Sequence, residues 1–185
     1  MASAIASVFE PARGHLRVRL NDARLVTIRP VLPSDLDALR TFFAALSRAT
    51  LRLRFHSPVN DLSEHVLHEF TTVNHLVQAA FVAEVHDGGA AGQLPALVAE
   101  ARFVRNADSE SAEFALVVAD DWRRIGLGTM LTRILVQRAR FTGVRRLWGD
   151  VLEDNQAMRG FAHSLGARLS RAIGYGQMLR LSLNV

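Results

Sequence analysis

The chain has 185 residues, 49% of them hydrophobic, enough for one compact domain with a sizeable core and short for two. It contains no cysteine, which excludes a disulfide framework, a thiolate nucleophile and a Cys-ligated zinc or iron–sulfur centre. All 22 residues counted as Lys+Arg are arginine and the formal net charge is only +4, which points to a bias of residue usage rather than to the concentrated basic stripe of a nucleic-acid binder. No apolar stretch approaches the ~20 residues of a membrane span, and Met1–Glu10 lacks a basic segment followed by an apolar block, so a cytoplasmic protein with no membrane partner is expected.

In chain order, residues 1–24 read as an N-terminal extension in which His15-Leu16-Arg17-Val18-Arg19-Leu20 alternates and can add an edge strand. A single domain over residues 25–185 follows. Leu25–Ile28 suits a short strand ended by Arg29-Pro30, and Ser34 offers an N-cap, with Asp35 and Asp37 in the first turn. The helix so begun ends near Ser47 and places Leu36, Leu39, Phe42, Phe43 and Leu46 on one face. A second helical segment is expected from Ser63 to about Phe70, then a buried strand from Val77 to Val85, broken by Asp87-Gly88-Gly89. Leu97–Val104 and Ala112–Val118 read as an antiparallel hairpin over the turn Arg105–Glu110.

After the loop Ala119–Arg123, a helix from Gly126 carries Leu127, Met130, Leu131, Ile134, Leu135 and Phe141 as its apolar stripe, with Arg133, Gln137 and Arg140 opposite and Gly143 placed to cap it. Leu147–Val151 is a strand, Asn155–Leu165 a helix, and Arg168–Leu183 a pair of strands around Gly174-Tyr175-Gly176. The order is α/β with a mixed sheet, and it has too few βαβ units for a doubly wound dinucleotide-binding domain.

The most informative stretch runs from the apolar strand Phe114–Val118 through a short polar loop into the helix start Arg123-Arg124-Ile125-Gly126-Leu127-Gly128-Thr129. The first amides of a helix lack intrahelical acceptors and carry about half a positive charge, so an anion placed there gains several hydrogen bonds. Gly126 and Gly128 allow close approach. There is no G-x-G-x-x-G and no Gly-Lys-Ser/Thr, which argues against dinucleotide and P-loop enzymes.

In this strand–loop–helix context, Arg123–Gly128 resembles the Q/R-x-x-G-x-G/A signature of the GNAT N-acetyltransferases. The resemblance implies a mixed, mostly antiparallel central sheet flanked by helices, and acetyl-CoA as co-substrate with no metal. It implies that Arg123, Arg124, Ile125, Gly126, Leu127, Gly128 and Thr129 hold the CoA pyrophosphate, and that the backbone of Leu116, Val117 and Val118 pairs with the pantetheine arm. Asp150–Gly166 resembles the family's later strand–helix segment, in which Asn155 and Phe161 fall on positions that meet pantetheine. Asn155 also suits a plain helix N-cap, and Phe161 ordinary core. Where the family commonly has a tyrosine that protonates the departing thiolate, this chain has Ala162. Neither His163 nor Tyr175 is assigned that role.

An amine nucleophile must lose a proton, because a lysine amine with pKa about 10.4 is mostly ammonium at neutral pH. Glu113 is the chosen base, since a carboxylate amid the apolar strand Ala112–Val118 is unusual if merely structural; Glu100, on the neighbouring strand, is its rival. Asp120 and Asp121 read as loop residues. Val26–Asp35 through Leu53-Arg54-Phe55 resembles bacterial protein-lysine acetyltransferases, a subgroup whose proposed base maps onto Glu113, although Leu51, Arg52 and His56 depart from its pattern. The resemblance thus implies direct acetyl transfer to an amine, of a protein lysine or a small molecule, with acceptor loops near Leu51–Asn60 and Gly174–Gln177. The alternative is an acyl-CoA-sensing module without turnover. A homodimer is left open, and nucleic acid is not an expected partner.

Overall fold

The computed structural model describes residues 14–74, 77–85, 95–106, 110–172 and 176–185. Among them, eight strands form one sheet with order β1-β2-β3-β4-β5-β6-β8-β7. The strands are β1 (Leu16–Arg19), β2 (Leu25–Pro30), β3 (Gln78–Val85), β4 (Ala96–Arg105), β5 (Ser111–Val118), β6 (Arg146–Leu152), β7 (Arg168–Arg171) and β8 (Met178–Asn184). All neighbouring pairs are antiparallel except β5–β6, which is parallel. The helices are α1 (Leu36–Ala45), α2 (Arg48–Phe55), α3 (Glu64–Thr71), α4 (Leu127–Phe141) and α5 (Gln156–Ser164). The sheet is mixed, mostly antiparallel and flanked by helices, as expected.

Strand alternation divides the core between the two faces of the sheet. On one face Phe81, Ala101, Phe103 and Phe114 pack with Leu127, Leu131, Ile134 and Leu135 of α4. On the other, Ala80, Val82 and Val117 pack with Leu39, Phe42 and Phe43 of α1, Leu51 of α2 and Leu67 of α3. The β1 run, which alternates between half-buried and exposed side chains, pairs antiparallel with β2.

Local expectations fail at three places. Ser34 makes no cap: the residue entering α1 is Asp35, and its carboxylate instead accepts from the Leu32 amide and from Arg29. Arg29 also reaches Glu84 at 2.7 Å, so a buried Asp35–Arg29–Glu84 ion network recruits the carboxylate from the helix terminus. Phe141, expected in the apolar stripe of α4, is 77% exposed: Arg138 and Ala139 of the same turn are the residues that face the core, and Phe141 falls at the margin of that stripe. The acceptor loop expected from Leu51 begins inside α2, which Ser47 starts by accepting the Thr50 amide at 3.2 Å. Gly143 does follow the α4 C-cap with φ +79, the left-handed conformation that suits glycine there. Tyr175, Gly174 and the break at Asp87–Gly89 lie outside the described residues.

Candidate functional site

The site begins where β5 and β6 part. These parallel strands are paired only over Ser111–Glu113 and Arg146–Trp148. Gly149 stands at the point of separation: a Cβ there would lie 2.7 Å from the Phe114 carbonyl oxygen, so no larger residue fits without displacing backbone. That carbonyl therefore faces β6. Because the polar groups of alternate strand residues point to the same side, those of Leu116 and Val118 also face the opening gap, while Val117 pairs with Glu100 of β4. Two residues of an interior strand thus turn their backbone away from β4 toward a cleft of about 470 Å³ that the gap opens into, where the Val118 carbonyl is met by the Arg123 guanidinium and Leu116 is left to the cleft.

The loop leading out of β5 closes one end of this cleft. Arg124 and Gly126 both adopt left-handed backbone, with φ +62 and +93. The Gly126 carbonyl accepts the Met130 amide at 3.0 Å, the first bond of α4, and leaves the amides of Leu127, Gly128 and Thr129 as the helix's unpaired N-terminal donors. A Cβ on Gly128 would meet Leu116 at 3.4 Å and Phe161 at 3.8 Å, so strand, helix start and α5 converge around it.

Of the residues expected to hold a cofactor, Leu116, Val117, Val118, Arg123, Arg124, Gly126, Gly128, Thr129, Asn155 and Phe161 line the cleft. Ile125 and Leu127 do not: the Ile125 carbonyl accepts from Asn21, and the Leu127 side chain is 1% exposed in the core. The Arg123 guanidinium turns toward the protein, donating to Val118 O at 3.2 Å and Thr50 Oγ1 at 2.5 Å beside Asp120 at 3.1 Å. Burial pushes Asp120 up, but hydrogen bonds from Thr50 and Ser47 and the charge of Arg123 outweigh it and hold this carboxyl below its ordinary value. Asn155 is the N-cap of α5, accepting the Met158 amide at 3.0 Å, and also lines the cleft. The cap and the cleft position coexist.

A second pocket of about 250 Å³ continues from the first, sharing Leu53, Arg54, Leu116, Asn155 and Met158 with it. It holds Glu113, Asp150, His56 and Arg54. Burial, and then the nearby Asp150 charge, raise the Glu113 carboxyl above its ordinary value against the smaller pull of Arg180 and Arg54. Glu113 is exposed at the pocket rim, so solvent screens part of these effects. Asp150 is held by Arg180 at 2.8 and 2.9 Å, and the Arg180 guanidinium lies over Trp148 at 4.2 Å. His56 caps the C-terminus of α2 with φ +59; burial and then Arg54 push its imidazole down, opposed by Asp150.

The rival carboxylate Glu100 is elsewhere. It is 0% exposed, bonded to Arg102 at 2.5 Å with Arg54 at 3.6 Å, and lines neither pocket. Ala162 is buried without a proton to give, and His163 is exposed. Sequence reasoning missed Thr50, and it placed Leu53 and Arg54 in an acceptor loop rather than on a helix, because the position of α2 depends on contacts far along the chain: Thr50 with Asp120, Arg52 with Asp154 at 3.0 Å, and Arg54 with Glu100.

The model of the Acetyltransferase (GNAT) family matches residues 48–167. An acetyltransferase of Pseudomonas aeruginosa is 32% identical over 162 residues, covering 87% of this chain and 85% of that protein. The acetyltransferase Pat of Mycolicibacterium smegmatis is 35% identical over 144 residues, which cover 76% of this chain but only 40% of that longer protein. The crystal structure of the GNAT domain of S. lividans PAT superposes with a TM-score of 0.83 at 24% identity, covering 92% of this chain and 97% of that one. The matched segment starts at α2, runs through the parted strands and the glycine loop and ends beyond α5, and on that match the chain belongs to the GNAT acetyltransferase family.

Proposed function

We propose that this chain transfers an acetyl group from acetyl-CoA to an amine, of a protein lysine or a small molecule, by direct attack assisted by Glu113. The observation that carries this reading is the meeting of two pockets at the parting of β5 and β6, one walled by backbone donors and the other holding a carboxylate with raised proton affinity. The amides at the start of α4 suit the pyrophosphate. The Leu116 and Val118 backbone suits the amide-bearing pantetheine arm, and a Val118-region amide would polarise the thioester carbonyl. Glu113 takes the proton of the acceptor amine, directly or through water; the amine nitrogen bonds to the carbonyl carbon, and the C–S bond breaks to release the CoA thiolate. With alanine at position 162, the thiolate leaves as such or takes its proton from water. That same alanine favours a second reading, a module that binds acyl-CoA without turning it over.

The test has two stages. A ligand present at a hundred times its Kd stabilises the folded state by about 2.7 kcal/mol, so saturating CoA should raise the unfolding midpoint by roughly 5–10 °C. Absence of both a shift and a calorimetric signal removes the reading. CoA release from acetyl-CoA with a panel of amines and lysine peptides then separates enzyme from sensor: binding without release on any acceptor supports the sensor.

A further inference from the structure

The β1–β2 hairpin turns over Leu20–Arg24, closed by the Leu20 amide on Arg24 O at 2.8 Å and the Ala23 amide on Leu20 O at 3.0 Å. The tip of this turn does not end in solvent. The Asn21 amide donates to Ile125 O at 3.1 Å, and the Asn21 side chain stands 3.4 Å from where a Cβ on Gly126 would be. The Arg24 guanidinium donates to Asp121 O at 2.9 Å, lies over the Trp122 ring at 3.9 Å and is held from behind by Asp22 at 2.5 Å. Two hydrogen bonds and a cation–π contact therefore run from a hairpin distant in sequence to the loop before α4.

The bond at Ile125 has a directional consequence. In a trans peptide the carbonyl of one residue and the N–H of the next point in opposite directions, and the chain has no cis peptide among its described residues. Holding Ile125 O toward Asn21 therefore aims the Gly126 N–H away from the turn. Gly126 and Trp122 both line the larger cleft while Asn21 and Arg24 do not, so the turn holds the loop from outside the cavity. Arg124, one residue earlier, sits at φ +62, which a non-glycine residue keeps only where its surroundings enforce it.

We infer that Asn21 and Arg24 are positioning residues of the anion-binding loop. The β1–β2 turn braces the loop from behind, so that its amides are already arranged before a phosphate arrives. This inference rests on the functional reading above, and it assigns a role to a segment that carries no motif. Its thermodynamic content is preorganisation: a loop ordered in the free protein does not lose that freedom on binding.

The experiment compares the unmutated protein with Arg24→Ala and with the double variant Asn21→Pro, Arg24→Ala, in which proline removes the N–H that Ile125 O accepts, using calorimetric Kd values for CoA and for pantetheine, which lacks the phosphates. A charge-assisted hydrogen bond and a cation–π contact together predict a loss of about tenfold in CoA affinity. Pantetheine affinity should be unchanged, and Arg24→Lys, which keeps a cation over Trp122, should recover part of the loss. Unchanged CoA affinity in the double variant, or an equal loss for CoA and pantetheine, overturns the brace. Hydrogen exchange of the free protein provides a ligand-independent arm, in which amides of Trp122–Gly126 should exchange faster in the double variant. Unaltered exchange there overturns the brace. If the unmutated protein bound no CoA, the functional reading would fall while this arm still decided the brace.

Discussion

The wall of the cleft made by β5 and the start of α4 consists of backbone groups, glycines, apolar side chains and the uncharged Thr129, whereas the pocket that continues from it is furnished with Glu113, Asp150 and His56. The difference determines how each part can be damaged. Backbone donors neither titrate nor disappear when a side chain is trimmed, so the first region is vulnerable to atoms added. A carboxylate acts through its charge and its proton, so the second is vulnerable to groups removed.

The sharpest way to break the comparison is Gly126→Asp. It puts a carboxylate at the N-cap of α4, where it competes for the helix-start amides, crowds a Cβ to 3.4 Å from the Asn21 side chain, and imposes a side chain at φ +93, beyond the left-handed range that L-residues ordinarily occupy. CoA binding should be abolished by calorimetry while circular dichroism retains the folded signature. A folded variant with unchanged affinity would place the phosphate site elsewhere.

Glu113→Gln tests the opposite vulnerability. The amide keeps the shape but cannot accept the proton, so turnover should fall by about 10²–10⁴-fold with CoA affinity nearly intact. The deficit should shrink as pH rises and the acceptor amine deprotonates in solution. A deficit independent of pH would instead indicate a disturbed strand. Asp150→Asn is the smaller, finer probe. Asp150 raises the Glu113 carboxyl while Arg180, which Asp150 now engages, lowers it. Removing the Asp150 charge should therefore move the acid limb of the kcat/KM profile to lower pH, because the basic form of Glu113 would persist further into acid. An unmoved limb would separate that ionisation from Glu113.

The same contrast explains what was legible in the sequence. Strand β5, the glycine loop and α4 were readable because their chemistry is local: an apolar run, two glycines and a helical stripe specify one another within a short span. Helix α2 was not. Leu51–Phe55 alternates arginines with apolar residues, a pattern that reads as a strand and not as a helix, and what secures the helix lies far away, in Asp120, Glu100 and Asp154. The Ser34 cap failed for a related reason, since the carboxylate beside it had a better partner in Arg29, itself tied to Glu84 across the sheet. Glu113 and Glu100 looked alike as carboxylates on adjacent apolar strands, and only the tertiary placement of Arg54 and Arg102 distinguishes a buried ion pair from a group at a pocket rim. Asn21 and Arg24 gave no signal, because a brace is defined by what it touches.

The parting of β5 from β6 also bears on aggregation. Unsatisfied strand edges usually lie at the rim of a sheet, where they invite pairing with another molecule and must be blunted by charge, proline or a bulge. Here such an edge lies in the interior of an eight-stranded sheet, at Leu116 and the amide of Val118, with Thr50, Leu53 and Arg54 of α2 and Met158, Gly160 and Phe161 of α5 lining the same cleft. A second protein's strand, bearing side chains on both faces, meets those helices before it meets the edge. The protein therefore keeps adhesive backbone available without the usual hazard of intermolecular sheet growth, and the side chains of α2 and α5 that line the cleft decide what can pair there.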